Sequence, residues 1–244
     1  MSFFCSLLPA HCSLLPAPCS LKLVTLSGLD GSGKSTQLEL LKTHFEQNGK
    51  KIAVFHAIEF SLANKITLAM NGGGTFIPGK EKAVTHASSF SLFLRTVFLA
   101  IDIFRFRSFT KKLERNGIEF LLSDRYFFDA VVNIEYLGGS VPKWILKRIP
   151  TPNTALYLRV TPEDILKRTR VPEQGIDYLR KKFDILERIK KDWHLVEIDA
   201  SQEPSIIFRE IYLRVNLQGS KNSQSFSEAT FLRPRKEQSQ HTER

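Results

Sequence analysis

Short apolar runs of strand length alternate along the chain with longer segments of helical pattern. In the segment 34–47 apolar residues recur at the spacing of one helix face, which predicts an amphipathic helix. A longer helical pattern covers 90–115 and ends at Asn116 and Gly117, a typical helix stop signal. Strands are predicted at 23–27, 51–55, 120–124, 155–160 and 195–199. Strands that are regularly separated by helices predict a parallel sheet covered by helices on both faces.

The two ends of the chain differ from this pattern. Residues 1–21 repeat with a period of seven residues and are interrupted by prolines, which exclude a coiled coil. A secretory signal peptide is the alternative, but no Lys or Arg precedes Lys22. We interpret 1–21 as a disordered repeat, translated from a start codon assigned too far upstream. The polar composition of 216–244 predicts a disordered tail, which leaves 22–215 as one domain.

The composition narrows the choice of partner and compartment. A formal net charge of +10 and a pI near 9.6 indicate an anionic partner. The basic residues are dispersed along helical segments, so we expect a phosphorylated small molecule and no nucleic acid. No apolar run approaches the roughly 18 residues of a membrane span, so we expect no membrane partner. All three cysteines lie within the first nineteen residues, which favours a reducing, cytoplasmic setting.

The strongest motif is the segment 28–35, which matches Gly-x-x-x-x-Gly-Lys-Ser/Thr between a predicted strand and a predicted helix. In such a loop the backbone N–H groups and the helix N-terminus face a bound phosphate. Lys34 is expected to neutralise the β and γ phosphates, and Ser35 to coordinate Mg²⁺. The sequence therefore predicts ATP and Mg²⁺ as ligands, with the nucleotide bound by Gly28, Asp30, Gly31, Ser32, Gly33, Lys34, Ser35 and Thr36.

A second candidate cluster follows the strand at 120–124. Asp124, Arg125 and Tyr126 lie at its carboxyl end, where open α/β sheets bind their ligands. Asp124 is expected to hold a Mg²⁺-bound water, and Arg125 to bind an acceptor phosphate with two hydrogen bonds. The alternative interpretation of the Asp-Arg pair is an ordinary surface salt bridge.

Over residues 22–215 the chain resembles the thymidylate kinase family of nucleoside monophosphate kinases. The resemblance rests on GLDGSGKST at 28–36, SDRY at 123–126, PNTALYLRVTPE at 152–163, LKRTR at 166–170 and EIDAS at 197–201. It implies an α/β P-loop NTPase fold, a three-layer α/β/α sandwich with a five-stranded parallel sheet of order 2-3-1-4-5. It also implies a helical lid after the fourth strand and transfer of phosphate from ATP to a nucleoside monophosphate, with dTMP as the expected acceptor.

The same resemblance implies roles for single residues. Asp30 stands where the family has a carboxylate that hydrogen-bonds the acceptor sugar. Gly31 stands where some members carry an arginine, and other members supply that arginine from the lid. This chain resembles the second kind, with Arg168 and Arg170 as candidates. The predicted catalytic residues are Lys34, Arg125, Arg168 and Arg170.

Two acceptor-side motifs of the family are altered. The expected Arg-Glu-Pro after the second strand reads Ile-Glu-Phe at 58–60, which keeps the acid and loses the arginine. The expected Asp-Arg, 22 residues before the Asp-Arg-Tyr, reads Asp-Ile at 102–103. Arg95 and Arg105 are on the same helical segment, and either could replace a missing arginine. The predicted substrate-binding residues are Asp30, Glu59, Asp102, Arg105, Arg125 and Tyr126.

These departures leave two alternative functions open. A kinase of a nucleoside or another small-molecule hydroxyl would need a carboxylate base, and Glu59 or Asp102 could serve. A nucleotide-binding module without transfer activity would also tolerate the lost arginines. The oligomeric state has no motif of its own, but the segment 90–115 is apolar enough to bury a partner's surface, so a homodimer is expected.

Overall fold

The computed structural model describes residues 20–62, 88–168 and 173–219. Its sheet has five parallel strands in the order β2-β3-β1-β4-β5, which confirms the predicted fold. The central strand β1 pairs with β3 on one side and with β4 on the other. The strands are β1 (Lys22–Gly28), β2 (Ile52–His56), β3 (Phe120–Asp124), β4 (Thr154–Arg159) and β5 (Val196–Asp199).

Helices cover both faces of this sheet. The described helices are α1 (Lys34–Gln47), α2 (Ala57–Phe60), α3 (Ser89–Arg115), α4 (Phe127–Tyr136), α5 (Lys143–Leu146), α6 (Pro162–Leu166), α7 (Gly175–Ile189) and α8 (Pro204–Gly219). Within the described ranges, none of them is both long and apolar enough to cross a membrane.

Two hydrophobic cores lie on opposite sides of the sheet, because successive side chains of a strand point to opposite faces. Val24 and Leu26 of β1 belong to the core that α1, α7 and α8 complete. Leu23, near the start of the same strand, belongs to the core that α3, α4 and α5 complete. Each helix buries one apolar face, and together the two cores produce the three-layer arrangement.

The fold begins and ends slightly outside the predicted domain 22–215. The predicted N-terminal repeat includes Leu21, but this residue is buried in the same core as Leu23, since the alternation of β1 continues to it. At the other end, α8 continues to Gly219, four residues beyond its last buried residue, Val215. Residues 1–19 and 220–244 lie outside the described residues, and their predicted disorder stays a prediction.

The long helix α3 confirms the pattern over 90–115 and its stop at Asn116. The Ser88 side chain accepts a hydrogen bond from the Ser91 N–H and caps its first turn, as serine often does at this position. The outer face of α3 exposes the large apolar residues Phe90, Phe93, Ile101 and Phe104. The homodimer expected from this segment stays a prediction.

The end of β1 depends on the absence of a side chain at Gly28. Its φ of 152° is unfavourable for L residues, and a Cβ there would lie 2.7 Å from the carbonyl oxygen of Leu158 in the neighbouring strand β4. A backbone oxygen within a sheet has little freedom to move away. Glycine therefore allows the phosphate-binding loop to leave the sheet in direct contact with β4.

We predict that Gly28→Ala lowers the free energy of unfolding by about 3 kcal/mol, because it combines backbone strain with that clash. Gly49→Ala is the matched control: its φ is 69°, and a Cβ added there would meet no atom within 4 Å. The control is expected to lose only about 1–2 kcal/mol through its backbone conformation. Urea unfolding of both variants measures the difference, and equal losses would contradict the importance of the Leu158 contact.

Candidate functional site

The loop between β1 and α1 has the geometry of an anion cradle. Gly31 and Gly33 have φ angles of 86° and 97°, which turn the chain sharply into the first turn of α1. The Ser32 hydroxyl is buried and has no hydrogen-bond partner among the described residues. Thr36 is exposed in the first turn of α1. Backbone N–H groups and a buried hydroxyl at a helix N-terminus can bind phosphate.

Lys34 is buried inside this loop. Its Nζ donates hydrogen bonds to the carbonyl oxygens of Gly28, at 2.9 Å, and of Leu29, at 2.7 Å. Burial lowers the pKa of Lys34, and the neighbouring carboxylate of Asp30 opposes that shift. The ammonium group is therefore held within the curve of the loop, where the phosphate-binding N–H groups are expected.

Ser35 and Asp124 form a pair of oxygen donors beside the loop. The Ser35 hydroxyl donates to Asp124 Oδ2 at 2.8 Å, across the boundary between α1 and the end of β3. The other carboxylate oxygen, Oδ1, is buried and has no hydrogen-bond partner in the described part of the chain. Hydroxyl and carboxylate oxygens are hard ligands that suit Mg²⁺. Among the described residues no cluster of three or more His, Cys, Asp or Glu side chains could hold a metal ion.

Asp30 is surrounded by groups that hydrogen-bond or attract its carboxylate. Arg125 donates to Oδ1 at 2.7 Å, and the Tyr178 hydroxyl donates to Oδ2 at 2.6 Å. Lys182 Nζ lies 3.5 Å from Oδ2. Burial alone would raise the pKa of Asp30, but Lys182, Arg125, Lys34 and the Tyr178 hydrogen bond together hold it well below its usual value. Asp30 is therefore the ionised centre of a cluster that joins the loop, β3 and α7.

Tyr126 does not face the site, which corrects its assignment to substrate binding. It is fully buried between α3 and α4, and its hydroxyl donates to the carbonyl oxygen of Pro150 at 2.8 Å. Its backbone N–H and the Ser27 hydroxyl both donate to Asp129, each at 2.9 Å. Burial raises the pKa of both Tyr126 and Asp129. Next to it, Arg125 has a φ of 61° and points instead toward Asp30.

Arg168 reaches the phosphate-binding loop from the segment after α6. Its guanidinium donates to the carbonyl oxygen of Gly31 at 2.7 Å and also to the carbonyl oxygen of Ala200, just after β5. The predicted lid arginine therefore lies directly above the loop. Arg170, the second predicted lid arginine, lies outside the described residues.

On the acceptor side, Asp102 and Arg105 are engaged within the fold. Asp102 is buried and accepts hydrogen bonds from the Leu62 N–H, at 3.2 and 3.3 Å, and from Arg105 at 2.6 Å. Arg105 also donates to the carbonyl oxygen of Phe60 at 3.0 Å, and its guanidinium lies over the Phe60 ring. These contacts fasten α2 to α3, and the substrate-binding roles of both residues stay predictions. Glu59 is exposed on α2, and its role stays a prediction.

Tyr178 and Lys182 are further residues of the candidate site, and Arg95 is a candidate replacement for the missing acceptor-side arginine. Arg95 is half-buried, and its Nε is buried without a hydrogen-bond partner among the residues that the structure describes. It lies seven residues, or about two turns, before Asp102 on the same face of α3. Tyr178 and Lys182 were not predicted. Their one sequence signal was their four-residue spacing, which places a hydroxyl and a charge on the inner face of an amphipathic helix.

Comparisons with known proteins agree with this geometry. Residues 26–211 match the family model described as thymidylate kinase. A probable thymidylate kinase from Methanosphaera stadtmanae is 24% identical over 77% of this chain and 94% of its own length. A thymidylate kinase from Chlorobium limicola is 26% identical over 78% of this chain and 92% of its own length. The solved structure of thymidylate kinase from Candida albicans has the same fold, with a TM-score of 0.59 and 16% identity, covering 81% of this chain and 92% of that one. The chain belongs to the thymidylate kinase family of nucleoside monophosphate kinases.

Proposed function

We propose that this protein transfers the γ-phosphoryl group of ATP to dTMP and releases ADP and dTDP. An oxygen of the dTMP phosphate forms the new bond to the γ-phosphorus, and the bond from that phosphorus to the β–γ bridging oxygen breaks. The observation that carries the proposal is the juxtaposition of two sets of groups. Lys34 and the Ser35–Asp124 pair lie on the donor side, and Asp30 with Arg125 lies beside them.

The donor half of the site is built by the loop and α1. Backbone N–H groups of the loop and the Ser32 hydroxyl bind the phosphate oxygens, while Lys34 neutralises the charge on the β and γ phosphates. Ser35 and Asp124 would hold Mg²⁺, which when bound offsets phosphate charge and aligns the phosphate oxygens for transfer. The unpartnered Oδ1 of Asp124 supports this assignment.

The acceptor half positions a phosphate that is already a nucleophile at neutral pH, so no general base is required. Arg125 binds the acceptor phosphate, and its geometry allows two parallel hydrogen bonds. Asp30 accepts a hydrogen bond from the acceptor sugar. Arg168 stabilises the charge that spreads over the γ-phosphoryl oxygens during transfer, and we assign the same task to Arg170.

The alternative of a hydroxyl-phosphorylating kinase favours Glu59 over Asp102 as its base. Asp102 is buried and accepts hydrogen bonds from Leu62 and Arg105, whereas Glu59 is exposed on α2. Glu59 remains as a candidate base and keeps that alternative testable. We also propose a cytoplasmic location, on the ground that all three cysteines precede the domain.

Product analysis with ATP, Mg²⁺ and a panel of nucleosides and nucleoside monophosphates tests the function. We expect dTDP from dTMP and no phosphorylated product from thymidine. Lys34→Ala should lower kcat by about a thousandfold or more, because it removes the charge that neutralises the transferring phosphate. Lys42→Ala, on the same helix and outside the loop, should keep wild-type turnover. Products from nucleosides alone, or retained turnover in Lys34→Ala, would overturn the proposal.

Arg95 is predicted to replace the acceptor-side arginine that the chain lacks. Its buried Nε has no partner in the described structure, whereas Arg105 is engaged by Asp102 and Phe60. We expect Arg95→Met to raise KM for dTMP about tenfold or more, since a charge-assisted hydrogen bond is lost, and to leave KM for ATP unchanged. Arg107→Met, an exposed arginine of the same helix, is the control. An unchanged KM for dTMP in Arg95→Met would exclude the role.

Asp30 is ionised within its cluster of cations, and its lowered pKa makes the stability of the fold depend on pH. A carboxylate with a lowered pKa in the folded state stabilises the protein above its unfolded pKa, and this contribution is lost as pH falls through the folded pKa. We predict that Asp30→Asn lowers the free energy of unfolding by about 2 kcal/mol at pH 7. The difference should begin to shrink as pH falls below about 4, because the unfolded wild-type chain then takes up a proton at Asp30 while the folded protein does not.

Urea unfolding between pH 7 and pH 3.5 provides the measurement for this prediction. Asp184→Asn, an exposed carboxylate on α7, is the control and should change stability little over the whole range. A loss in Asp30→Asn that does not vary with pH would show that its charge is not what stabilises the cluster.

A further inference from the structure

Lys182 breaks the pattern of the helix that carries it. The buried side chains of α7 are Tyr178, Leu179, Lys182, Leu186 and Ile189. An apolar residue at position 182 would complete this face, whereas a buried ammonium group loses hydration that must be replaced by hydrogen bonds and opposite charge. Where a chain breaks a local packing rule of this kind, a functional site is the usual reason.

The contacts of Lys182 direct it to the acceptor side of the site. Its Nζ donates a hydrogen bond to the Tyr178 hydroxyl, which in turn donates to Asp30 Oδ2. The distance from Lys182 Nζ to the same oxygen of Asp30 is 3.5 Å. Lys182 therefore lies beside whatever group Asp30 binds, and on the opposite side of the carboxylate from Arg125, which contacts Oδ1.

Among the described residues, the hydrogen bonds of Lys182 and Asp30 leave capacity on both side chains. An ammonium group has three N–H donors, and Tyr178 takes one of them. A carboxylate offers about four acceptor positions, and the hydrogen bonds from Arg125 and Tyr178 occupy two. A spare donor and a spare acceptor that lie this close together match a hydroxyl group, which accepts one hydrogen bond and donates another.

We infer that Lys182 is a specificity-determining residue that binds the sugar hydroxyl of the acceptor nucleotide together with Asp30. Lys182 donates to the hydroxyl oxygen, and the hydroxyl donates to Asp30. In dTMP the 5′ oxygen is esterified and the 2′ carbon carries no oxygen, so the hydroxyl is the one at the 3′ position. The inference rests on the proposed function, because it takes dTMP as the acceptor, and it adds a residue of α7 to the contacts of the sugar.

This assignment differs from two other tasks for a buried lysine in what it predicts. If Lys182 bound the acceptor phosphate, its loss would weaken the binding of all nucleoside monophosphates by the same factor, whether or not they carry a 3′ hydroxyl. If it only supported the fold, its loss would lower stability and leave the preference for the hydroxyl intact. A contact to the hydroxyl changes the preference itself, since a site built to pair a hydroxyl rejects a ligand that lacks it.

The experiment measures the dissociation constants of dTMP and of 3′-deoxythymidine monophosphate by calorimetry. We expect the wild type to bind dTMP about a hundredfold more tightly than the analogue that lacks the 3′ hydroxyl. In Lys182→Met this preference should fall to about tenfold or less, mainly through weaker binding of dTMP. Lys181→Met, the adjacent exposed lysine, should keep the wild-type preference. Lys182→Gln retains an N–H donor without the charge and should recover part of the preference.

The outcomes separate this inference from the proposed function. If Lys182→Met weakens the binding of both ligands by the same factor, or leaves both unchanged, the role of Lys182 is overturned. Formation of dTDP by the wild type would still support the proposed function. Wild-type binding with the expected preference but without dTDP formation would overturn the function alone. If the melting temperature of Lys182→Met lies far below that of wild type, Lys182→Gln takes its place in the test. The inference then stands only if Lys182→Gln prefers dTMP over the analogue without the 3′ hydroxyl less strongly than wild type does.

Discussion

The parallel pairing of β1 with β3 is the constraint on which the whole site depends. Its register places Leu26 beside Asp124, so the loop after β1 and the carboxylate at the end of β3 leave the sheet at the same edge. Asp124 can then reach the hydroxyl of Ser35 in the first turn of α1. A shift of one residue along β3 would turn Asp124 to the opposite face of the sheet and separate the pair. The two cores on either face hold this register in place, because the same shift would move Leu121 and Leu122 of β3 out of the core that each fits and into the core on the opposite face.

The charges around Asp30 give this edge of the sheet its affinity for anions. Lys34, Arg125 and Lys182 converge on one carboxylate, and the burial of both lysines lowers their pKa values. Asp129 lies close enough to oppose those shifts, but it is buried and hydrogen-bonded to Ser27 and Tyr126. Three cationic groups therefore act on the one carboxylate of Asp30, an arrangement that suits the binding of phosphate groups. The dispersed basic residues of the chain contribute a wider field, but specificity for a phosphate comes from these few buried groups.

The sequence predicted what depends on local pattern and failed where the outcome depends on packing. The strands, the long helix α3 and the loop at 28–35 follow from residue spacing and glycine positions, which act over a few residues. Tyr126 was misassigned because its neighbour Arg125 adopts a left-handed backbone conformation, so that successive side chains leave in different directions. The contact of Arg105 with the carbonyl oxygen of Phe60 was not foreseen, because the two residues are distant in sequence. Lys182 was missed because a charge at one helix position resembles a solvated residue until the opposing carboxylate is known.

Arg168 connects the phosphate-binding loop with the segment after β5. It donates to the carbonyl oxygen of Gly31 in the loop and to that of Ala200 after β5. Position 31 carries no side chain, so under the proposed function a catalytic arginine has to come from outside the loop. Arginine presents five donors in a fixed plane, and a hydrogen bond to a charged phosphate oxygen is stronger than one to a neutral carbonyl. When nucleotide is bound, Arg168 can therefore gain by replacing one of these carbonyl oxygens with an oxygen of the γ-phosphate. The position of Arg168 would then depend on whether the nucleotide is present.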